Sequence, residues 1–287
     1  MTTLTLPNII SHVEFAAPGD EHAARSEYRR TRGAESHWHK RLIEGLEQNQ
    51  FQLYRQKIAS VQPNVGSPCK HYEVLLRLNN RAGGLLSPAA FMPAARRLSL
   101  LQEIDHWVIQ AVLQHAGEER RRGNAASHYA INLSGPTIGD EGLLLYILEQ
   151  FASTSADPAT ICFEFTETVA VRHLRRAQNL ISVLKERGCT FSLDDFGKGL
   201  SSLTHLKHLD IDFLKIDGSF VKGLATDKID YAIVEAIQRM AQAMELKTIA
   251  EHVESDAILD KLREIGVDYA QGYQIHKPES FGSTQIT

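Results

Sequence analysis

Cysteine is scarce in this chain, which holds only 3 in 287 residues. Cys69, Cys162 and Cys189 are odd in number and widely spaced, so they predict neither a disulfide framework nor a zinc site. We interpret them as reduced packing residues. This usage is typical of a cytoplasmic protein.

Long apolar runs and a strong net charge are also missing. No stretch approaches the length that spans a bilayer, and the first residues, Met1 to Leu4, lack the basic start of a signal peptide. The formal net charge of −4 offers no long-range attraction to nucleic acid or anionic lipid. We therefore expect no membrane segment and no nucleic-acid polymer as partner, and an anionic ligand would need local cations such as metal ions.

Two regions of different character follow one another along the chain. Residues 1–37 are polar, mixed in charge and without clear period, which predicts a leader or linker and possible tail of an upstream domain. Residues 38–287 are predicted to form the ordered domain. With 43% hydrophobic residues, the chain can bury a full core, either as one α/β barrel or as two smaller domains.

Strand-like and helix-like segments alternate from Trp38 onward. Helices are indicated over 168–187 and 227–246 by apolar residues at steps of three and four. The candidate strands cover 51–59, 69–78, 128–134, 161–167, 190–197, 213–217, 247–254 and 269–275. This alternation predicts a parallel (β/α)8 barrel of the triosephosphate isomerase type, with an open doubly wound sheet as the alternative.

The stretch 190–202 is the most informative, because an apolar run ends in two adjacent carboxylates and then breaks into glycine and serine. Neighbouring side chains of a strand point to opposite faces, so Asp194 and Asp195 can share a site only if the second lies where strand gives way to loop. A divalent cation or a shared proton would relieve their repulsion. A solvated turn is the alternative for this pair taken alone.

Other polar residues fall at the carboxyl ends of the predicted strands, where barrels of this kind build their active sites. Besides the two aspartates, they are Glu73, Arg77, Asn132, Glu164, Glu167, Lys215, Asp217, Glu251, Glu254 and Gln271. Strand alternation places Glu164 on the face of Cys162 and leaves Glu167 out of phase, so Glu167 is predicted to anchor a loop. For any single carboxylate, an ion pair or a capped turn remains the alternative.

The chemistry of this polar set indicates a metal-dependent hydrolase. Its carboxylates and amide are hard oxygen ligands without paired histidines, which suits Mg²⁺ or Mn²⁺ better than zinc. Lys215 adds a positive charge suited to a phosphate or oxyanion. The set predicts phosphoester hydrolysis assisted by two metal ions. A barrel glycosidase with two carboxylates is the alternative, but five or more acids, Asn132 and Lys215 exceed what that chemistry needs.

Taken together, these residues resemble a known family, the EAL-domain phosphodiesterases that hydrolyse cyclic di-GMP in bacterial signalling. The resemblance runs from about Trp38 to Pro278. The motifs that carry it are Glu73-Val74-Leu75-Leu76-Arg77, Phe91-Met92-Pro93, Ile104-Asp105-His106-Trp107, Asn132-Leu133-Ser134, Glu164-Phe165-Thr166-Glu167, Asp194-Asp195-Phe196-Gly197, Lys215-Ile216-Asp217, Ala250-Glu251-His252-Val253-Glu254 and Gln271-Gly272-Tyr273.

The resemblance implies a modified (β/α)8 barrel whose first strand is antiparallel to the others, with linear pGpG as the product. It also implies two Mg²⁺ or Mn²⁺ ions and a homodimer. By the resemblance, the first ion would be held by Glu73, Asn132, Glu164 and Asp194, and the second by Asp194, Asp195 and Glu251.

Further roles are implied in the same way. Lys215 would orient or help deprotonate the attacking water, with Glu251 as the alternative base. Gln56 and Arg77 would contact the substrate, and Gln271 would contact the substrate, the water or the metal shell. Glu167 would anchor the loop that begins at Asp195.

Some positions depart from the family pattern, notably Lys57, Leu78 and His252, the last of which stands where glycine is usual. None of them removes a predicted metal ligand or Lys215. A degenerate module that binds cyclic di-GMP without hydrolysing it is the alternative, and it would be expected to lack one of those residues. A sensory or GGDEF cyclase domain upstream is a further expectation from the family.

Overall fold

The computed structural model describes residues 35–62, 70–80, 83–198 and 206–281. The leader predicted for 1–37 lies outside these ranges except for 35–37, which are helical. The helices are α1 (35–47), α2 (Pro88–Arg97), α3 (Leu101–Arg121), α4 (Gly135–Ile138), α5 (Leu143–Thr154), α6 (Glu167–Arg172), α7 (Leu174–Lys185), α8 (Gly218–Val221), α9 (Lys228–Ala243) and α10 (Asp256–Ile265). Among the described residues, no helix is both long and apolar enough to cross a membrane.

Eight strands close into a barrel. They are β1 (Phe51–Ser60), β2 (Lys70–Asn79), β4 (Ser127–Asn132), β5 (Ile161–Thr166), β6 (Thr190–Phe196), β7 (Phe213–Ile216), β8 (Lys247–Ala250) and β9 (Tyr269–Ala270). Each pairs with the next, and β1 closes the ring by pairing with both β2 and β9. Two short strands lie outside the ring: β3 (Leu85–Leu86) pairs antiparallel with β2, and β10 (Glu279–Ser280) pairs antiparallel with β1. The closed ring excludes the open doubly wound sheet.

The first strand runs against its neighbours. Tyr54 of β1 lies opposite Leu75 of β2 in antiparallel register, and Ala59 lies opposite Ala270 of β9. The pairs from β2 to β4 and onward to β9 are parallel. The modified barrel that the family resemblance implied is therefore confirmed.

Strand alternation divides the barrel into an apolar outer face and a polar interior. Phe163, Phe165 and Phe191 are almost fully buried, and the rings of Phe163 and Phe191 lie 5.8 Å apart. Helix α7, whose apolar residues recur at steps of three and four, packs on β6 from outside. The interior positions are left to the polar side chains described below.

The helix predicted over 168–187 is in fact two helices. Thr166 caps α6 by accepting a hydrogen bond from the Val169 amide, so the first helix begins directly after β5. The chain breaks at His173, whose φ and ψ are −120° and 33°. The break falls where neither proline nor glycine marks it, and the sequence therefore gives no signal for it.

The last two strands are shorter than predicted. β8 ends at Ala250 rather than at 254, and β9 covers only Tyr269–Ala270 rather than 269–275. The backbone still pairs beyond these ends, since the Gln271 amide donates to the Ala250 carbonyl and the Val253 amide donates to the Gln271 carbonyl. The irregular conformation arises because His252 has a φ of 54°, outside the extended region.

Candidate active site

The predicted site residues converge inside the barrel, at the carboxyl ends of the parallel strands. β2 contributes Glu73, β4 Asn132, β5 Glu164, β6 Asp194 and Asp195, and β7 Lys215, while Glu251 and Gln271 directly follow β8 and β9. Gln56 joins them from the antiparallel β1, where it lies opposite Glu73.

Lys215 lies at the centre of this group with a side chain that is 0% exposed. Its Nζ is 3.0 Å from Glu251 Oε1, 3.1 Å from Glu164 Oε2, 3.4 Å from Asp194 Oδ1 and 3.6 Å from Glu73 Oε2. Burial favours the neutral amine, but the carboxylates outweigh it and raise the pKa of Lys215 well above its usual range. The carboxylates therefore favour the ammonium form of Lys215.

One ammonium does not balance the negative charge around it. Burial raises the pKa of Glu164, and the neighbouring carboxylates of Glu73 and Asp194 raise it further despite Lys215. The pKa of Glu251 is raised for the same reasons. Without a further cation, the group retains protons that free carboxylates would release, and a bound divalent cation would replace those protons.

Amide side chains fix the orientation of Glu73. Asn132 Nδ2 donates to its Oε1 at 2.8 Å, and Gln271 Nε2 donates to its Oε2 at 2.6 Å. Gln271 Nε2 also contacts Gln56 Oε1 at 3.1 Å, and Gln56 Nε2 donates to the His276 carbonyl at 2.9 Å. One network thus joins predicted metal ligands to predicted substrate contacts.

A β-bulge resolves how two adjacent aspartates reach one site. Leu193 pairs with Leu214 and Phe196 with Ile216, so two residues of β6, Asp194 and Asp195, lie opposite Lys215 alone. Asp195 has a φ of 56°, which turns the chain within the bulge. The sequence required a local departure from strand geometry at the second acid, and the bulge supplies it within β6, which continues to Phe196.

Sequence reasoning assigned no role to Asp217 and did not consider Lys198. Lys198 Nζ lies 2.8 Å from Asp195 Oδ1 and 2.6 Å from Asp217 Oδ2. Burial raises the pKa of Asp217, but hydrogen bonds from Lys198 and from Ser219 outweigh it and lower the pKa to about 2. The position of Asp217, two residues after Lys215 at a strand end, was a signal that could have identified it.

The donor set fits a hard divalent cation. Glu164 Oε1 and Gln271 Oε1 are buried and find no hydrogen-bond partner among the described residues. Oxygen atoms of Asp195, Asp217 and Glu251 lie within 4.8 Å of one another, close enough to share an ion. Orphaned buried oxygens and grouped carboxylates are what Mg²⁺ and Mn²⁺ sites offer before the ion binds.

A cleft of about 450 Å³ opens onto these groups. The buried Glu73 and the half-buried Arg77 both line it, and Arg77 lies with its guanidinium carbon 5.4 Å from the centre of the Tyr54 ring. Burial lowers the pKa of Arg77 without bringing it near neutrality. Arg77 Nη1 donates to the Leu76 carbonyl at 2.8 Å, which holds the guanidinium at the side of the cleft.

The remaining predicted positions lie around the site. Glu167 is buried at the start of α6, and the loop it was predicted to anchor lies partly outside the described residues, at 199–205. Of the departures from the family pattern, Lys57 is exposed, Leu78 is in the core, and His252 lines the cleft.

Comparison with known proteins gives the same family. The family model described as the EAL domain matches residues 39–278. Cyclic di-GMP phosphodiesterase PdeB of Shewanella oneidensis is 39% identical over 246 residues, which are 86% of this chain and 28% of that protein. Cyclic di-GMP phosphodiesterase PdeF of Escherichia coli is 35% identical over 239 residues, which are 83% of this chain and 31% of that protein.

This chain therefore spans less than a third of the length of these two curated relatives. A solved structure of the PaMucR phosphodiesterase in complex with c-di-GMP superposes with a TM-score of 0.78 at 31% identity, covering 85% of this chain and 98% of that one. Family model, relatives and fold agree with the motifs read from the sequence. The chain belongs to the EAL domain family.

Proposed function

We propose that this protein hydrolyses cyclic di-GMP to linear pGpG with the help of two divalent cations, Mg²⁺ or Mn²⁺. The observation that carries the proposal is the fully buried Lys215 among four carboxylates at the strand ends, a group that holds too much negative charge for one ammonium. The two curated relatives are named for this activity.

The metal ligands are proposed from the sequence motifs and from the donor set. Glu73, Asn132, Glu164 and Asp194 would hold the first ion, and Asp194, Asp195 and Glu251 the second. Bound there, the ions would supply a nucleophilic water near neutral pH and neutralise charge on the phosphate. Hard oxygen donors without histidine support Mg²⁺ or Mn²⁺ over zinc.

The protein side chains have their own tasks in the proposed reaction. The Lys215 ammonium would orient the attacking water and stabilise the charge that develops on the phosphate oxygens. Glu251, whose Oε1 lies 3.0 Å from Lys215 Nζ, would be the alternative base and would accept a proton from that water. In the proposed step the water oxygen would bond to phosphorus and give up a proton, while the bond from phosphorus to the ribose 3′ oxygen would break. The 3′ oxygen would take up a proton and leave as a hydroxyl, and the new end would keep a 5′-phosphate.

Arg77 and the two glutamines would hold the substrate. Arg77 lines the cleft, and its planar donors suit a phosphate diester. Gln56 and Gln271 also line the cleft and are linked by a hydrogen bond of 3.1 Å. Because Gln271 also binds Glu73, substrate contact and metal binding would be coupled through one amide.

Three broader features of the proposal concern the cell. The buried free thiols of Cys162 and Cys189 support a reducing compartment, and we place the activity in the cytoplasm. We infer a homodimer from the family resemblance, with Glu167 anchoring the loop that begins at Asp195. A sensory or GGDEF domain would control the activity, in keeping with the greater length of the curated relatives.

The test is to incubate the protein with cyclic di-GMP and Mn²⁺ or Mg²⁺ and to separate the nucleotides by chromatography. Linear dinucleotide should form, vanish with EDTA, and fall about 100-fold with Glu73→Gln. Glu141→Gln, a change at a surface glutamate paired with Arg176, should leave the rate unchanged. Tight binding of cyclic di-GMP without turnover would overturn the proposal in favour of a receptor.

A further inference from the structure

Lys198 occupies an unusual place beside the carboxylates. Its ammonium bridges Asp195 Oδ1 at 2.8 Å and Asp217 Oδ2 at 2.6 Å. It lies three residues after Asp195 of the β6 bulge, just after Gly197, whose φ is 97°. The turn at Gly197 therefore places the Lys198 ammonium beside Asp195, the second acid of the bulge.

The oxygens that Lys198 contacts belong to carboxylates that could hold a divalent ion. Asp195 and Asp217 form, with Glu251, the group whose oxygens lie within 4.8 Å of one another. An ammonium is a compact point charge that donates to the same oxygen lone pairs that an ion would use. The two cations therefore compete for these carboxylates and repel each other when both are close to them.

We propose that Lys198 is a built-in competitor of the second divalent ion and thereby sets how strongly that ion binds. The inference depends on the proposed function, since it assumes an ion at Asp195 and Glu251. In the metal-free protein Lys198 pairs with both Asp195 and Asp217 and offsets one of their two negative charges. Metal binding on this side displaces the ammonium into solvent, so the second ion binds more weakly than the first.

The two lysines of the site differ in exposure, and only one of them can be displaced. The Lys198 side chain is 54% exposed and can swing into water without repacking its neighbours. Lys215 is 0% exposed and is surrounded by carboxylates, so it has no such route. Lys198 is thus exchangeable, and Lys215 is a fixed part of the site.

The first test is a Mn²⁺ titration of the full chain by calorimetry, with free Mn²⁺ measured by electron paramagnetic resonance. Lys198→Thr should tighten the weaker of two sites about 10-fold, because a positive charge within a few ångströms is removed. The stronger site should change little. Lys198→Arg, which keeps the charge, should resemble the wild type.

Lys185→Thr is the matched control. Lys185 also bridges two aspartates, with Nζ 2.7 Å from Asp210 Oδ1 and 3.0 Å from Asp212 Oδ1. If freeing any aspartate pair creates Mn²⁺ affinity, this variant would gain it as well. We expect its two-site isotherm to match that of the wild type.

Thermal unfolding gives a readout that is independent of binding. In EDTA, Lys198→Thr should lower the melting temperature by about 1–2 °C, because Asp195 and Asp217 lose their counter-charge. In saturating Mn²⁺ the difference should vanish or reverse, since the ion replaces the ammonium. A lysine with only a structural role would lower the melting temperature equally in both conditions.

The outcomes separate the two proposals. If wild type binds two Mn²⁺ ions and forms linear dinucleotide but Lys198→Thr leaves the weaker site unchanged, the inference about Lys198 is wrong while the proposed function stands. If no form of the protein binds Mn²⁺ or forms the dinucleotide, the proposed function fails and the inference fails with it.

Discussion

At the scale of the residue, the site depends on the buried ammonium of Lys215, which has no path to solvent. Lys215 is buried among carboxylates of Glu73, Glu164, Asp194 and Glu251, so its ammonium offsets repulsion that water cannot screen. The side chain fills the barrel interior and also stabilises the acids in their places. The proposed catalysis and the folding of the barrel therefore depend on the same contacts of Lys215.

Replacement of this lysine tests that dual role. Lys215→Met keeps most of the volume and removes the charge, so in EDTA we expect the free energy of unfolding to fall by about 3 kcal/mol or more. Mn²⁺ should restore much of this loss, since an ion would supply the missing positive charge, whereas the activity should stay at least about 100-fold reduced. Chemical denaturation with and without Mn²⁺ measures both effects.

A surface lysine provides the comparison. Lys261→Met removes an ammonium 2.6 Å from Glu264 on the exposed face of α10, and it should change neither stability nor metal response. A Lys215→Met protein as stable as the wild type in EDTA would contradict the electrostatic account of the interior.

At the scale of the element, strand ends are held in place by the loops that follow them. Gly218 begins α8 after β7, and His252 follows Glu251 after β8. A Cβ added at Gly218 would lie 2.2 Å from His252 Cδ2 and 2.9 Å from His252 Cβ. These two loops are packed so closely that only glycine fits at position 218.

A paired substitution tests this packing. Gly218→Ala should push His252 aside, displace Glu251 and reduce activity about 10-fold. Adding His252→Gly removes the clashing side chain and should recover most of the activity, because glycine also tolerates the φ of 54° at that position. Initial rates of the two single variants and the double variant give the coupling energy between positions 218 and 252. If the effects of the two substitutions on the activation free energy simply add, the two loops act independently.

Helix α3 is tied to the end of β4 by a buried carboxylate. Asp105 accepts hydrogen bonds from the Ser134 amide at 2.7 Å and from Thr137 Oγ1 at 2.5 Å. Burial raises the pKa of Asp105 from 3.8 to about 6, although these hydrogen bonds lower it. The tie positions the loop that follows Asn132.

This carboxylate predicts a pH dependence of stability. Between pH 3.8 and about 6 the folded protein holds a proton on Asp105 that the unfolded chain has released, so the contribution of Asp105 to stability falls as pH rises through this window. The total loss is on the order of 3 kcal/mol.

Asp105→Asn keeps an oxygen acceptor and removes the titration. Its free energy of unfolding should exceed that of the wild type above pH 6 and approach it near pH 4, as measured by urea denaturation across this range. If the difference between the two proteins does not change with pH, Asp105 does not titrate as described.

At the scale of the whole molecule, the barrel was predictable because the spacing of apolar residues along each strand and helix indicates which of its faces is buried. The segments 161–167 and 190–197 matched β5 and β6 within one residue because large apolar residues recur at alternate positions in each. The reversed direction of β1 came only from family motifs, since an alternating pattern carries no information about strand direction.

Features that depend on contacts between distant parts of the chain could not be predicted from the sequence. The bulge at Asp194 and Asp195 depends on the register between β6 and β7. The ends of β8 and β9 depend on hydrogen bonds between the loops that follow these two strands. The contact of Lys198 with Asp217 joins residues far apart in the chain, and no local pattern signals it. The residue types predicted which chemistry the site could support, whereas the balance of charges within it could be seen only in the folded structure.

Because the molecule is argued to bring water, metal ions and a phosphodiester together in one cleft, the origin of the new phosphate oxygen tests the central claim most directly. Wild-type protein is incubated with cyclic di-GMP and Mn²⁺ in H₂¹⁸O, and the products are analysed by mass spectrometry. The account predicts linear pGpG with one ¹⁸O atom in its 5′-phosphate, formed only when Mn²⁺ is present. Unchanged cyclic di-GMP, or a product that lacks the label, would contradict it.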